Sequence, residues 1–345
     1  MATADAVSEG DAIAYFLDDL TYHGKSDRTL QAYGRVLRRF ETFLEADRDV
    51  EDPRNAERRD CLAFVHELRG DASQSTVATY ASYLHRFYAY MTQVGAFDEN
   101  PMALVMEELD ETIDKDPSRR DIPLEQMRAF VAELTHPLER ALVVTLLKTG
   151  MRVGELCNLD LRDLHLAEEA VQAAFEPDPR GQIADRPDSL FVTADVARGE
   201  VVNGEERTAS NKRERDTVVP IDAELGRVLR RYLAIRPDVV SAAEPLFVST
   251  KDRWGERMKP EWVRSIVTKH ARPYGWYRSG GSAAENVTPH YFRHYFTTHL
   301  RDRTGDRGIV KYLRGDVADD IIDTYTHNWG DRVREVYEAN IYALT

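Results

Sequence analysis

Residues 106–123, MEELDETIDKDPSRRDIP, interrupt an otherwise regular hydrophobic pattern and limit what this chain can fold into. Ten of these eighteen positions are charged and Pro123 closes the run, so the segment has no apolar face to bury and reads as a connector. The expected organisation is a helical domain over 1–106, a linker over 107–120 and a second domain over 121–345. A length of 345 residues agrees with two cores rather than one.

Before the break, apolar residues recur at helical spacing. DAIAYFLDDL forms one such stripe, and TLQAYGRVLRRFETFLEA sets Leu30, Tyr33, Leu37, Phe40 and Leu44 along one face. AERRDCLAFVHELRG predicts a third helix ending at Gly70. STVATYASYLHRFYAYMTQVG predicts a fourth, capped by Ser73 or Ser75 and stopped by Gly95. Four helices around a shared core is the simplest outcome.

After the break the pattern is mixed. PLEQMRAFVAELT and PLERALVVTLLKTG open with proline in the first turn, where its missing N–H costs nothing, and the second is punctuated by Thr149-Gly150. Residues 165–221 hold short apolar runs among prolines and glycines. SLFVTA, EVV and DTVVPI read as strands of a small antiparallel sheet, Asn203-Gly204 as a hairpin turn, and EPDPRGQIADRPD as a loop. Helical spacing returns in AELGRVLRRYLAIR, in KPEWVRSIVTKHA and after Pro289. The expected class is mainly α with a small antiparallel β-sheet.

No apolar run is long enough to span a membrane, and MATADAVSEGD lacks the features of a signal peptide, so a cytoplasmic protein without a membrane partner is expected. Cys61 and Cys157 sit in helical patterns without C-x-x-C spacing, which supports neither a disulfide framework nor a cysteine zinc site. The net charge is −14, with most of the excess before residue 111. An acidic surface with far more arginine than lysine suits work at high salt, where screening weakens self-repulsion, and predicts a halophilic, haloarchaeal source. Net charge alone does not exclude nucleic acid, because a local basic face can survive an acidic total.

Several residues are candidates for chemistry. In TPHYFRHYFTTHL, His290 and Arg293 lie three apart near the start of a helix, able to offer an imidazole and a guanidinium to one anion. Taken alone they are equally polar residues of an aromatic-rich helix. TGMRVGEL sets Arg152 and Glu155 three apart, in isolation an ordinary ion pair. SNKRERDTVVPI sets Lys212 before a strand, in isolation a charged edge. DDIIDTYTHNWG sets Tyr325 among Ile321 and Ile322, in isolation a core residue.

Together, and in this order, TGMRVGELCNLDLRDL, NKRERDTVVPI, TPHYFRHYFTTHL and the Asp316-to-Tyr325 spacing resemble the tyrosine recombinase (phage-type integrase) family, including its chromosome dimer-resolving members. The resemblance covers essentially the whole chain, with residues 1–106 similar to the family's SAM-like helical core-binding domain and the remainder to its mixed α/β catalytic domain. It implies a site-specific DNA recombinase that cleaves and rejoins DNA through a 3′-phosphotyrosyl intermediate and exchanges strands between two duplexes. By position in the motifs, Arg152 and Arg293 are the implied catalytic arginines, Glu155 their acidic brace, Lys212 the lysine eight residues before Pro220, His290 the H-x-x-R histidine, and Tyr325 the nucleophile. The implied partner is double-stranded DNA, bound as a homotetramer on paired sites and as monomer or dimer without it, with helices at Thr76–Arg86 and KPEWVRSIVTKHA as candidate base readers. No cofactor and no metal are expected, since attack by a phenol conserves the phosphodiester's energy and the cationic side chains supply the charge.

One position and one spacing depart from the family pattern. Nine residues before the tyrosine, where relatives carry histidine or tryptophan, this chain has Asp316, and an ionised carboxylate cannot donate to a phosphate. It orients a neighbouring cation, turns away, or lowers activity; Arg314 and His327 are candidate substitutes for the missing donor. The sixty-residue spacing from Arg152 to Lys212 also implies an insertion, read as a tolerated surface loop or as a contact to DNA or a neighbouring subunit. These departures keep two alternatives open: a catalytically weak or silent DNA-binding regulator or architectural protein, and a type IB-like DNA-relaxing enzyme.

Overall fold

Residues 10–113, 118–167, 178–239, 241–316 and 329–344 are described by a computed structural model. The chain divides into two compact units, Met1–Pro117 and Ser118–Thr345, each with its own core.

The first unit is built from α1 (Ala12–Tyr22), α2 (Asp27–Arg48), α3 (Arg58–Asp71), α4 (Gln74–Gln93) and a short α5 (Ala103–Glu107). Side-chain oxygens start three of them: Asp11 accepts from the amides of Ile13 and Ala14, Ser26 from Thr29, and Ser73 from Thr76. Of the stripe expected on α2, Leu37, Phe40 and Leu44 are buried, and Leu30 and Tyr33 lean on the same core. Phe16, Phe40, Phe64 and Phe87 are fully buried phenyl rings of this core, each contributing about 1.5–3 kcal/mol of hydrophobic stabilisation. The first part of the charged 107–120 stretch is tied to this unit, since Glu108 pairs with Arg58, Glu111 with Arg69, and Leu109 packs on the core.

The second unit is organised around α7 (Pro137–Thr149), which follows α6 (Leu124–Ala132). Every residue of α7 from Ala141 onward is buried, so this helix is the spine of the unit rather than an amphipathic surface element. Packed on it are α9 (Ala223–Leu233) and α11 (Pro289–Thr304), with the short α8 (Val153–Asn158) after it and α10 (Pro260–Ala271) alongside. The sheet has the order β1 (Leu164–His165), β2 (Ser189–Val192), β5 (Thr217–Pro220), all antiparallel, with Leu190 opposite both Leu164 and Val219. A separate hairpin joins β3 (Val201–Val202) to β4 (Glu205–Glu206) through Asn203-Gly204, both at positive φ as a two-residue turn of this kind requires.

The insertion holding this hairpin is fastened to the body by buried charge. Asp160, 0% exposed, accepts from both Arg207 and Arg257, and Arg257 also reaches Glu205 on β4. These pairs fix the β3–β4 hairpin to the body of the unit.

After α12 (Arg307–Arg314), the helix α13 (Trp329–Asn340) and the residues behind it return to α7. The last carbonyls of a helix have no intrahelical donor. Here the Tyr337 hydroxyl donates to Lys148 O at 3.0 Å and the Tyr342 hydroxyl to Leu147 O, while the Lys148 ammonium is held by Asp222, Glu224 and Tyr342 O. Among the described residues no helix is long and apolar enough to cross a membrane.

Candidate active site

Helix α7 ends at Gly150, whose φ of +62° is the left-handed cap geometry that favours glycine. A β-carbon there would also run into the Phe296 ring of α11. The chain then turns into α8, and Arg152 stands at its N-cap. Glu155, three residues on, accepts from the Arg152 amide at 2.9 Å and from Arg152 Nη1 at 3.0 Å, the reach-back bond of a helix start used here to hold a functional side chain.

Arg293 comes from α11 and is only 3% exposed. Its Nη1 donates to Gly150 O at 2.8 Å and to Arg314 O at 3.2 Å, so the cap that ends α7 also seats the second arginine. Burial, together with the charges of Arg152 and Arg314, pulls the Arg293 pKa down to about 9, against the pull of Asp316 and Glu155. The group is still a cation at neutral pH.

Asp316 is placed by the end of α12. Gly315 has φ +71°, its amide donates to Tyr312 O, and the Asp316 amide donates to Lys311 O, the paired closure of a Schellman cap. This turn directs the carboxylate into the arginines: Oδ1 lies 2.8 Å from Arg293 Nη2 and 3.4 Å from Arg152 Nη2, and Oδ2 lies 3.0 Å from Arg314 Nε. The carboxylate thus faces three guanidiniums, which does not fit the reading in which Asp316 turns away.

Lys212 is exposed and lies between β4 and β5 rather than on a hairpin strand. Its flanks are fixed. Asn211 is held by Asn158 and Thr193 O, and Arg213 is buried, donating to Glu155 Oε2 at 3.1 Å and to Leu313 O at 3.1 Å. Burial, and the nearby Arg152 charge, lower the Arg213 pKa although Glu155 counteracts them. Sequence reasoning missed Arg213. Arg213 precedes β5 and a bend at Glu214-Arg215, so no strand alternation or helical period marks it in the sequence.

His290 stands exposed on the first turn of α11, and its pKa is lowered by desolvation and then by the guanidiniums of Arg119, Arg293, Arg152 and Arg314. Tyr325 and His327 lie outside the described residues. Arg152, Glu155, Arg213, Arg293, Arg314 and Asp316 thus meet in one cluster with His290 at its border, and Lys212 adjoins it only as the chain neighbour of Arg213. No group of three or more metal-ligating side chains occurs among the described residues.

Residues 13–95 match the family described as "Phage integrase, N-terminal SAM-like domain", and residues 188–331 match the "Phage integrase family". The chain belongs to the tyrosine recombinase (phage integrase) family. This recombinase is 25% identical over 328 residues to a tyrosine recombinase XerC of Pelobacter propionicus, covering 92% of this chain and 90% of that protein. It is 26% identical to a tyrosine recombinase XerA of Pyrococcus furiosus, covering 94% and 93%. In fold it is similar to a Tn1549 transposon integrase solved with transposon right-end DNA, at a TM-score of 0.63 and 18% identity over 96% of this chain and 99% of that one. The mainly helical class with a small antiparallel sheet and the enzyme class, a tyrosine recombinase that cleaves and rejoins DNA, agree with the expectations from sequence. None of these relatives bears on a haloarchaeal source.

Proposed function

We propose that this recombinase binds double-stranded DNA and that Tyr325 attacks a backbone phosphate to form a 3′-phosphotyrosyl bond as the 5′-oxygen leaves. One observation carries the reading: Arg152 and Arg293, from different helices, are each anchored through Nη1 to the protein and converge through Nη2 on one point. Rigid guanidinium forks of this kind match the nonbridging oxygens of a phosphate and stabilise the charge that builds there during attack.

Glu155 braces both Arg152 and Arg213. Lys212 delivers a proton to the departing 5′-oxygen, and the proton of the Tyr325 phenol passes to solvent or to a neighbouring base such as His290. Either His327 or Arg314 supplies the phosphate donor for which relatives carry a histidine or tryptophan. Rejoining reverses these steps with a 5′-hydroxyl from the second duplex, so four copies on paired sites complete an exchange. The helical domain over 1–106 and the catalytic domain from 121 both contact DNA, α4 and α10 being the candidate base readers, in the cytosol of a salt-adapted cell.

Trapping on a nicked suicide substrate tests the chemistry: wild type should give a covalent adduct, and Y325F should give none. Persistence of the adduct in Y325F would refute the assignment of the nucleophile. Replacing the bridging 5′-oxygen by sulfur, a leaving group that needs no proton, should restore cleavage to K212A if the lysine is the acid. Exchange between two labelled sites distinguishes a recombinase from a relaxing enzyme, and binding without any adduct would favour a silent DNA-binding protein.

A further inference from the structure

The two guanidiniums that form the cradle are already occupied, although the Arg152 side chain is partly exposed. Each has one terminal nitrogen tied down, Arg152 Nη1 on Glu155 and Arg293 Nη1 on the carbonyls of Gly150 and Arg314. The other nitrogen of each faces Oδ1 of Asp316. A phosphate oxygen entering the cradle therefore needs the same donors that a carboxylate oxygen now uses.

We infer that Asp316 is an internal competitor for the scissile phosphate, a carboxylate that occupies the Arg152–Arg293 cradle in the DNA-free protein and is displaced when a phosphodiester binds. A carboxylate and a phosphodiester are both anions that accept from guanidinium forks, and two such oxygens at one point repel each other.

The placement also allows exchange. The backbone under Asp316 is fixed: the Glu214 amide donates to Gly315 O, Arg213 Nη1 holds Leu313 O, and the stem of Arg213 lies so close to Gly315 that a β-carbon there would overlap it. The side chain is 24% exposed, and its second oxygen faces Arg314 Nε. Rotation about the Asp316 side chain can thus free the cradle while keeping a cation, Arg314, for the displaced carboxylate.

The inference deepens the proposed DNA cleavage and takes its biological sense from it, but its test does not require catalysis. The apparent affinity of a site is reduced by the fraction of molecules in which it is open. An internal anion that fills the cradle nine times in ten therefore weakens binding of an external one about tenfold. Isothermal titration of the full-length protein with inorganic phosphate should show D316N and D316A binding at least about tenfold more tightly than wild type. D316N/R293Q should lose that gain. In wild-type protein carbon-13 labelled at aspartate, the Asp316 carboxyl resonance should move on phosphate addition.

An unchanged or weaker phosphate affinity in both folded single variants, a gain that survives R293Q, or an Asp316 resonance unmoved at saturating phosphate would each overturn the inference. If phosphate binding tightens and wild type still gives no Tyr325 adduct, the proposed cleavage fails while the competitor stands. If the adduct forms and phosphate affinity does not respond, the reverse holds.

Discussion

Glu155 is the residue on which the cluster is hung, and its removal should be felt first as lost stability. Its side chain is fully buried and accepts three hydrogen bonds, two from Arg152 and one from Arg213, whose side chain is equally buried. Glu155→Ala leaves the Arg213 charge in the interior with Leu313 O as its remaining hydrogen-bond acceptor among the described residues. Breaking one side of a buried pair costs about 3–5 kcal/mol, because the desolvated partner is left uncompensated. Arg213→Met loses the hydrogen bonds to Glu155 and to Leu313 O but strands no charge, since Glu155 keeps both bonds from Arg152, so it should cost less than Glu155→Ala. In the double variant no charge of this pair is stranded, so its cost should fall clearly below the sum of the two. All four tryptophans lie after residue 250, so their fluorescence during urea unfolding reports the Ser118–Thr345 unit alone. For a unit of this size the expected loss in E155A corresponds to a melting temperature lower by about 6–20 °C. A loss in E155A under about 1 kcal/mol, or strict additivity in the double variant, would refute the claim that Glu155 compensates a buried charge.

Three further outcomes follow from the same coordinates. Gly150→Ala forces a left-handed backbone on alanine and a methyl group into Phe296, so the unit should lose about 2 kcal/mol or more and cleavage should fall with it, since Gly150 O seats Arg293; equal unfolding midpoints would contradict this. Lys148→Met removes the buried cation shared by the buried Glu224 and the half-buried Asp222, for an expected loss of about 3 kcal/mol by the same fluorescence assay. His290 has a pKa depressed below 6.5, so folding stability should decline as pH falls through 6.5, where the unfolded chain takes up a proton that the folded one resists. Its imidazole proton shifts, followed by NMR, should titrate below 6.5 in the free protein, and a midpoint at or above that value would show that the surrounding guanidiniums do not act on it.

Much of the architecture was legible because it rests on local signals. Helical periodicity and serine caps place α2 and α4, and the Asn-Gly pair places the β3–β4 turn, since each depends on residues only a few positions apart. Short elements escaped notice: α5, β1 and β4 have five residues or fewer, and so few positions cannot establish a period. Within the site, the sequence offered Arg152, Glu155, Lys212, His290 and Arg293 through motif order, and offered no sign that Arg213, which lies before a bend and outside β5, turns inward to Glu155. Buried ion pairs such as Asp160 with Arg207 and Arg257 are equally silent in one dimension, because charged residues separated by dozens of positions carry no mark of which will meet.

By itself, the order of residue types determined a mainly helical chain in two parts and the side chains offered to a phosphate. What only tertiary structure decided is where Asp316 points. That direction comes from a left-handed glycine cap, a buried arginine from another segment and two guanidiniums whose second nitrogens face the same oxygen, and such a convergence is a property of three-dimensional distance that no spacing along the chain encodes.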